Sequence, residues 1–215
     1  MTLGSAASSE KHQPLPHAAG TLAMWWFLGS LSMLFGAGML GYIAIRMSRT
    51  DDFAVGHITL PVAFWVSTVV VLLASFTIQR ALSAVRREKL DHLKSWLLVT
   101  LGLGVLFCAI QIPSLLTLFS QHFIQMDAAR AAQIEAGDDQ LGNRVMPFFG
   151  LVFVYVIIHG LHVLGGLIHL IWVTVGAFLR RYDHESHNPV KHATMYWHFL
   201  DVVWIIMFGT MILFG

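Results

Sequence analysis

The stretch "VMPFFGLVFVYVIIHGLHVLGGLIHLIWVTVGAFL", residues 145–179, holds no Lys, Arg, Asp or Glu. As a helix it would be about 50 Å long, whereas a bilayer's hydrocarbon core is about 30 Å thick and needs about 20 helical residues to cross. It is therefore long enough to span a membrane, and must tilt or project beyond it. Four further segments are almost free of the same charges: 12–45, 53–79, 95–126 and 192–215. Their apolar runs are continuous and do not alternate. In lipid, backbone N–H and C=O groups must be satisfied internally, by helices or closed barrels, and continuous runs select helices. The sequence predicts an all-α integral membrane protein, a bundle of five transmembrane helices over about 21–45, 60–80, 96–120, 147–179 and 195–215. These form one domain, 21–215.

Composition agrees. Hydrophobic residues make up 56% of the 215 and charged residues 12%, about half the share usual in soluble domains. Residues 1–20 are polar, interrupted by Pro14 and Pro16, and lack the basic start and apolar core of a signal peptide. They read as a mobile N-terminal tail. Cys108 is the sole cysteine, which excludes a disulfide within the chain, and a net charge of +1 gives no argument for nucleic acid. Lys and Arg in loops near the spans set orientation. An N-terminus in the cytoplasm places nine of them inside and four outside, with the C-terminus outside. No period of 20–50 residues repeats, which argues against a solenoid or an inverted-repeat carrier. Small residues mark expected close helix contacts: Ser32 with Gly36, Ala37 with Gly41, Gly102 with Gly104, and Gly160, Gly165 and Gly166.

Three histidines interrupt the opening stretch. His159, His162 and His169 fall within an arc of about 80° on one helix face, which suits a ligand face or a polar packing seam. His159 and His169 are about 15 Å apart along the axis, so one metal ion with bonds of about 2 Å cannot take both. A bis-histidine haem would need a partner on a facing helix at matching depth. The fifth span offers His198, which the expected span boundaries place about two turns nearer the cytoplasmic end than His169. Hydrogen-bonding histidines in a packed seam fit the spacing better, and a cytochrome b-like carrier remains the second reading.

The other constellation is "MYWHFLDVVWIIMFG", residues 195–209. Asp201 is the only acid within any expected span, and an ionisable group in a membrane by default suggests function and a nearby partner. His198 lies three residues earlier on the same side, flanked by Trp197 and Trp204. Tyr196 and Trp197 also suit the aromatic belt at a membrane interface. Helix registry, lipid contact and proton handling all stay open for Asp201, and a small proton-coupled carrier is a third reading. No phosphate-binding glycine loop or recognisable nucleophile is present, and the ten methionines are scattered.

Together "HGLHVLGG" and "YWHFLDVVW" resemble subunit III of the haem–copper oxidases, whose stretches read close to HGLHV-x-x-G and [YF]WHF-[VL]-DVVW. The likeness extends to "STVVVLLASFTIQRA" and "LGLGVLFCAIQ" and covers roughly 20–215. Five spans match the short bacterial form. The resemblance implies a non-catalytic subunit with no active site, haem or copper of its own, those groups lying in partner subunits. It implies packing against catalytic subunit I, with subunit II in the complex, bound phospholipid, support of proton uptake, and a multi-pass place in the bacterial inner membrane. His159, Gly160, His162, Gly166, Trp197, His198, Asp201 and Trp204 are then motif residues with structural or lipid-contact roles. Arg180 and His184 resemble head-group contacts in placement. The chain departs from the pattern at Leu31, where the family often has a buried glutamate, and at "IPSLL" and "KHAT", where acids are frequent. Quinol oxidases and a subunit III-like protein associated with nitric oxide reductases share the resemblance.

Overall fold

The computed structural model describes residues 17–47, 62–136, 142–182 and 187–214. Five helices account for nearly all of them: α1 (His17–Met47), α2 (Val62–Arg86), α3 (Leu90–Ala136), α4 (Gly142–Phe178) and α5 (Asn188–Phe214). Each contains a stretch long and apolar enough to cross a membrane: Ala19–Ala44, Val62–Arg86, Leu90–Thr117, Val154–Phe178 and Asn188–Leu213. The chain is an all-α, five-helix membrane bundle, and no strand occurs among the described residues.

Helix ends differ from the sequence-based boundaries. Helix α1 begins at His17, inside the expected tail, of which residues 1–16 lie outside the described residues. Helix α3 runs on to Ala136, past the expected end of the third span near 120. The segment "AARAAQIEA" explains this, because Ala, Arg, Gln and Glu are strong helix formers even without an apolar face. Helix α5 starts at Asn188, seven residues before the expected span.

The two short turns share one geometry. After α2, Glu88 N–H donates to Val85 O at 3.1 Å and Lys89 N–H to Ala84 O at 3.0 Å. After α4, Arg180 N–H donates to Ala177 O at 3.2 Å and Arg181 N–H to Gly176 O at 3.0 Å. These bond pairs are Schellman caps, which need a left-handed residue. That residue is Glu88 (φ 57°) in one turn and Arg180 (φ 52°) in the other. Tyr182 then folds back so that its ring covers Gly176.

Helix α5 packs against α1, α2 and α4, while α3 lies against α2 and α4. One core cluster sits where α2 and α3 turn and joins Ile78, Leu93, Leu97, Leu170, Val173 and Trp197. A second, aromatic cluster gathers Phe64, Phe107, Tyr196, Leu200, Trp204 and Phe208. Phe35, Val203 and Met207 form a third. Apolar burial drives little association in lipid, so close approach and interhelical hydrogen bonds must hold such helices together. Most Ser and Thr hydroxyls do neither and bond a carbonyl three or four residues back, as Ser32 does to Leu28 O and Thr174 to Leu170 O.

Only some of the small residues make the expected contacts. A Cβ on Gly166 would lie 3.1 Å from Tyr196 Cε1 and 3.2 Å from Leu200 Cδ1, and one on Gly104 would lie 3.0 Å from the Trp197 ring. Gly36, Gly102, Gly160 and Gly165 have no such neighbour within 4 Å. Helical phase separates them: Gly166 shares the face of His159, His162 and Leu170, while Gly160 and Gly165 point elsewhere.

Candidate functional site

The two motifs meet along the seam between α4 and α5. Tyr196 O–H donates to the backbone carbonyl of His162 at 3.0 Å, beside the close approach at Gly166. The His159 ring is buried, stacked on Trp204 with centroids 5.9 Å apart, and edge-on to Phe35 at 6.0 Å. His162 also meets Phe35 edge-on at 5.5 Å, and its Nδ1 lies 2.7 Å from Ile158 O of its own helix. Phe35 of α1 thus closes the seam over both histidines.

Trp204 is the centre of the aromatic cluster. Phe64 and Phe208 stack on it at 6.0 and 6.3 Å, and Phe107 meets it edge-on at 5.3 Å. Its Nε1–H donates to Thr68 Oγ1 of α2 at 3.1 Å. A buried indole needs such a partner, and Thr68 supplies it. Trp197, two turns before Trp204 on α5, is only 2% exposed and lies against Gly104 of α3. Tyr196 and Trp197 therefore belong to the interior of the bundle, and not to an aromatic belt. Trp197, Trp204, His159 and Asp201 are all buried by the chain itself, which leaves none of them a face toward lipid.

His198 turns the other way, toward α2. Ser75 Oγ lies 2.7 Å from its Nδ1, and Gln79 Oε1 lies 3.2 Å from its Nε2. The Gln79 oxygen only accepts, so Nε2 carries the proton and Nδ1 accepts from the Ser75 hydroxyl. Asp201 Oδ2 is 4.0 Å from the same Nδ1. Asp201 is 3% exposed, and neither carboxyl oxygen has a hydrogen-bond partner among the described residues. The sequence did not point to Ser75 or Gln79. Their signal was present, as two polar residues four apart on one face of an apolar span.

His169 stacks on Trp172 of its own helix at 6.2 Å and lies near His192 of α5. The sequence set His169 and His198 at unequal depths, but α5 begins at Asn188, so His198 is about 15 Å into its helix. His169 is about as far from the end of α4 at Phe178. Direction keeps the two apart, because His198 engages α2 while His169 does not. Among the described residues no three His, Cys, Asp or Glu side chains converge as a metal site would require. Arg180 is exposed in the turn after α4, and His184 lies outside the described residues.

Leu31 is buried in the aromatic cluster with Leu28 and Phe64. An apolar side chain is packed at the position where the family often has a glutamate.

No protein-family model matches the chain. Among curated proteins it is 24% identical over 212 residues to quinol oxidase subunit 3 of Bacillus spizizenii, covering 99% of this chain and 95% of that one. It is 26% identical over 190 residues to cytochrome c oxidase subunit 3 of Thermostichus vulcanus, covering 87% and 83% respectively. It is also 26% identical over 199 residues to cytochrome c oxidase subunit 3 of Alkalihalophilus pseudofirmus, covering 90% and 86%. Near-complete coverage of oxidase third subunits of both kinds joins the two packed motifs and the five-helix bundle in one conclusion: the chain is similar over nearly its whole length to the third subunits of quinol and cytochrome c oxidases.

Proposed function

We propose that the chain is the non-catalytic subunit III of a haem–copper terminal oxidase, which reduces oxygen to water in aerobic respiration. The observation that carries this reading is the junction of the two family motifs, where Tyr196 bonds His162 O and Trp204 stacks on His159. In this role the motif histidines and tryptophans hold α1, α2, α4 and α5 in one arrangement. The haem and copper belong to partner subunits, and so does proton translocation. Relatives that use quinol and cytochrome c match over nearly the same residues, which fits a subunit that does not hold the donor site.

The partners are the catalytic subunit I and subunit II, together with membrane phospholipid. The chain sits in the bacterial inner membrane with its N-terminus in the cytoplasm, supported by the nine Lys and Arg at that end against four at the other. Deleting the chain from its host tests the role. Oxygen reduction by membranes should persist but decay faster during turnover than in the parent. Immediate and complete loss of oxidase activity, with subunit I still present and carrying haem, would contradict a supporting role.

A further inference from the structure

A cavity of about 460 Å³ opens where α2 ends and α3 begins, and Arg80, Arg87 and Lys89 line it. That volume lies within the range of small-ligand sites. No acid is among its lining residues. The acids beside it in sequence are Glu88 in the turn and Asp91, which pairs with Lys94 at 3.7 Å. The Arg80 guanidinium is held over the Phe76 ring at 4.9 Å.

The walls change character along both helices. On α2 the stripe Leu72, Phe76, Arg80 turns from apolar to basic within one helical turn, and Arg87 follows in the turn after it. On the other side Lys89, just before α3, precedes Trp96 and Val99 of that helix. Leu72, Phe76 and Val99 are all exposed on the outer surface of the bundle, where lipid chains lie. Basic groups at the membrane face above an apolar track complement one kind of molecule, an amphiphile with an anionic head.

We infer that this cavity binds the phosphodiester head group of an anionic phospholipid, with its acyl chains along Phe76, Leu72 and Val99. The site is separate from the turn that carries Arg180, and it rests on the lipid-binding part of the proposed function. Gln79 lines the same cavity and accepts from His198, so the lipid sits one residue from the contact that joins α2 to α5.

The test uses the full chain with whatever partners copurify, exchanged into nanodiscs of phosphatidylcholine containing phosphatidylglycerol. Native mass spectrometry counts the lipids retained. The wild type should enrich phosphatidylglycerol roughly tenfold, as three basic groups near a membrane surface allow. Arg80→Gln/Arg87→Gln/Lys89→Gln should lose most of that enrichment. Arg86→Gln/Arg181→Gln/Lys191→Gln, which removes equal charge at the same end of the bundle but outside the cavity, should keep it. Neither inorganic phosphate nor glycerophosphoglycerol, the head group without chains, should displace the lipid. If the triple variant fails to fold, Arg87→Gln and Lys89→Gln singly should each give a partial loss. Enrichment that survives all these cavity variants overturns the site, and displacement by inorganic phosphate makes it a free-anion site instead. The haem content of the copurified material reports separately on the oxidase reading.

Discussion

The Ser75 hydroxyl and the His198 imidazole meet at 2.7 Å across α2 and α5. Because lipid offers helices little apolar reason to associate, this bond and its Gln79 companion carry a disproportionate share of the α2–α5 contact. Interhelical hydrogen bonds of this kind contribute about 0.6 kcal/mol on average and at most about 1.7 kcal/mol. Ser75→Ala should destabilise the bundle within that range in a detergent unfolding titration. His198→Phe, which also frees Gln79, should cost more. If the double variant shows the sum of the two single effects, the Ser75–His198 pair is not coupled.

Gly166 and Gly165 are adjacent in sequence but differ in surroundings. Gly166→Leu drives a side chain into Tyr196 and Leu200 and should cost about 1–3 kcal/mol by overpacking. A Cβ at Gly165 meets no neighbour within 4 Å, so Gly165→Leu should leave the isolated chain as stable as before, or slightly more so from better helix propensity. Equal losses at both positions would show that the seam does not run past Gly166.

Trp204 combines packing with one hydrogen bond. Trp204→Phe should keep most of the aromatic cluster and cost about 1 kcal/mol through the lost bond to Thr68. Trp204→Ala opens a cavity among Phe64, Phe107 and Phe208 and should cost about 3–5 kcal/mol. Thermal unfolding of the two variants side by side separates the contributions.

Glu88 caps α2 with a positive φ of 57° and no glycine. A left-handed conformation costs an ordinary residue about 1–2 kcal/mol, and glycine is nearly free of that penalty. Glu88→Gly should raise the unfolding midpoint, or leave it unchanged where added freedom in the unfolded chain offsets the gain. A clear fall in the midpoint would mean that the Glu88 side chain has a stabilising contact.

The five spans were legible because lipid imposes a requirement that charge-free runs display directly. Helix ends were less legible. Helix α3 outlasts its apolar run by its Ala-rich composition, and α5 begins in the polar segment "NPVKHAT". That early start moved His198 deeper than its distance from the expected boundary implied, and the depth argument against pairing with His169 fails as a result. The right reason is direction, and direction requires knowing that α5 lies against α2. The motif residues themselves stood out, but their partners Thr68, Ser75, Gln79 and Phe35 come from other helices, where nothing local marks them. Glycine spacing showed a seam, but only helical phase separates Gly166, which lines it, from Gly160, which does not.

We propose that this chain supports a redox complex without holding its metals. Copurification through a tag on this chain from its native membrane, followed by haem and copper analysis, tests it most directly. The complex should carry haem and copper, and the chain stripped of its partners should show no Soret absorption. A stoichiometric haem on the isolated chain, lost on replacing His162, His169 or His198, would contradict the account.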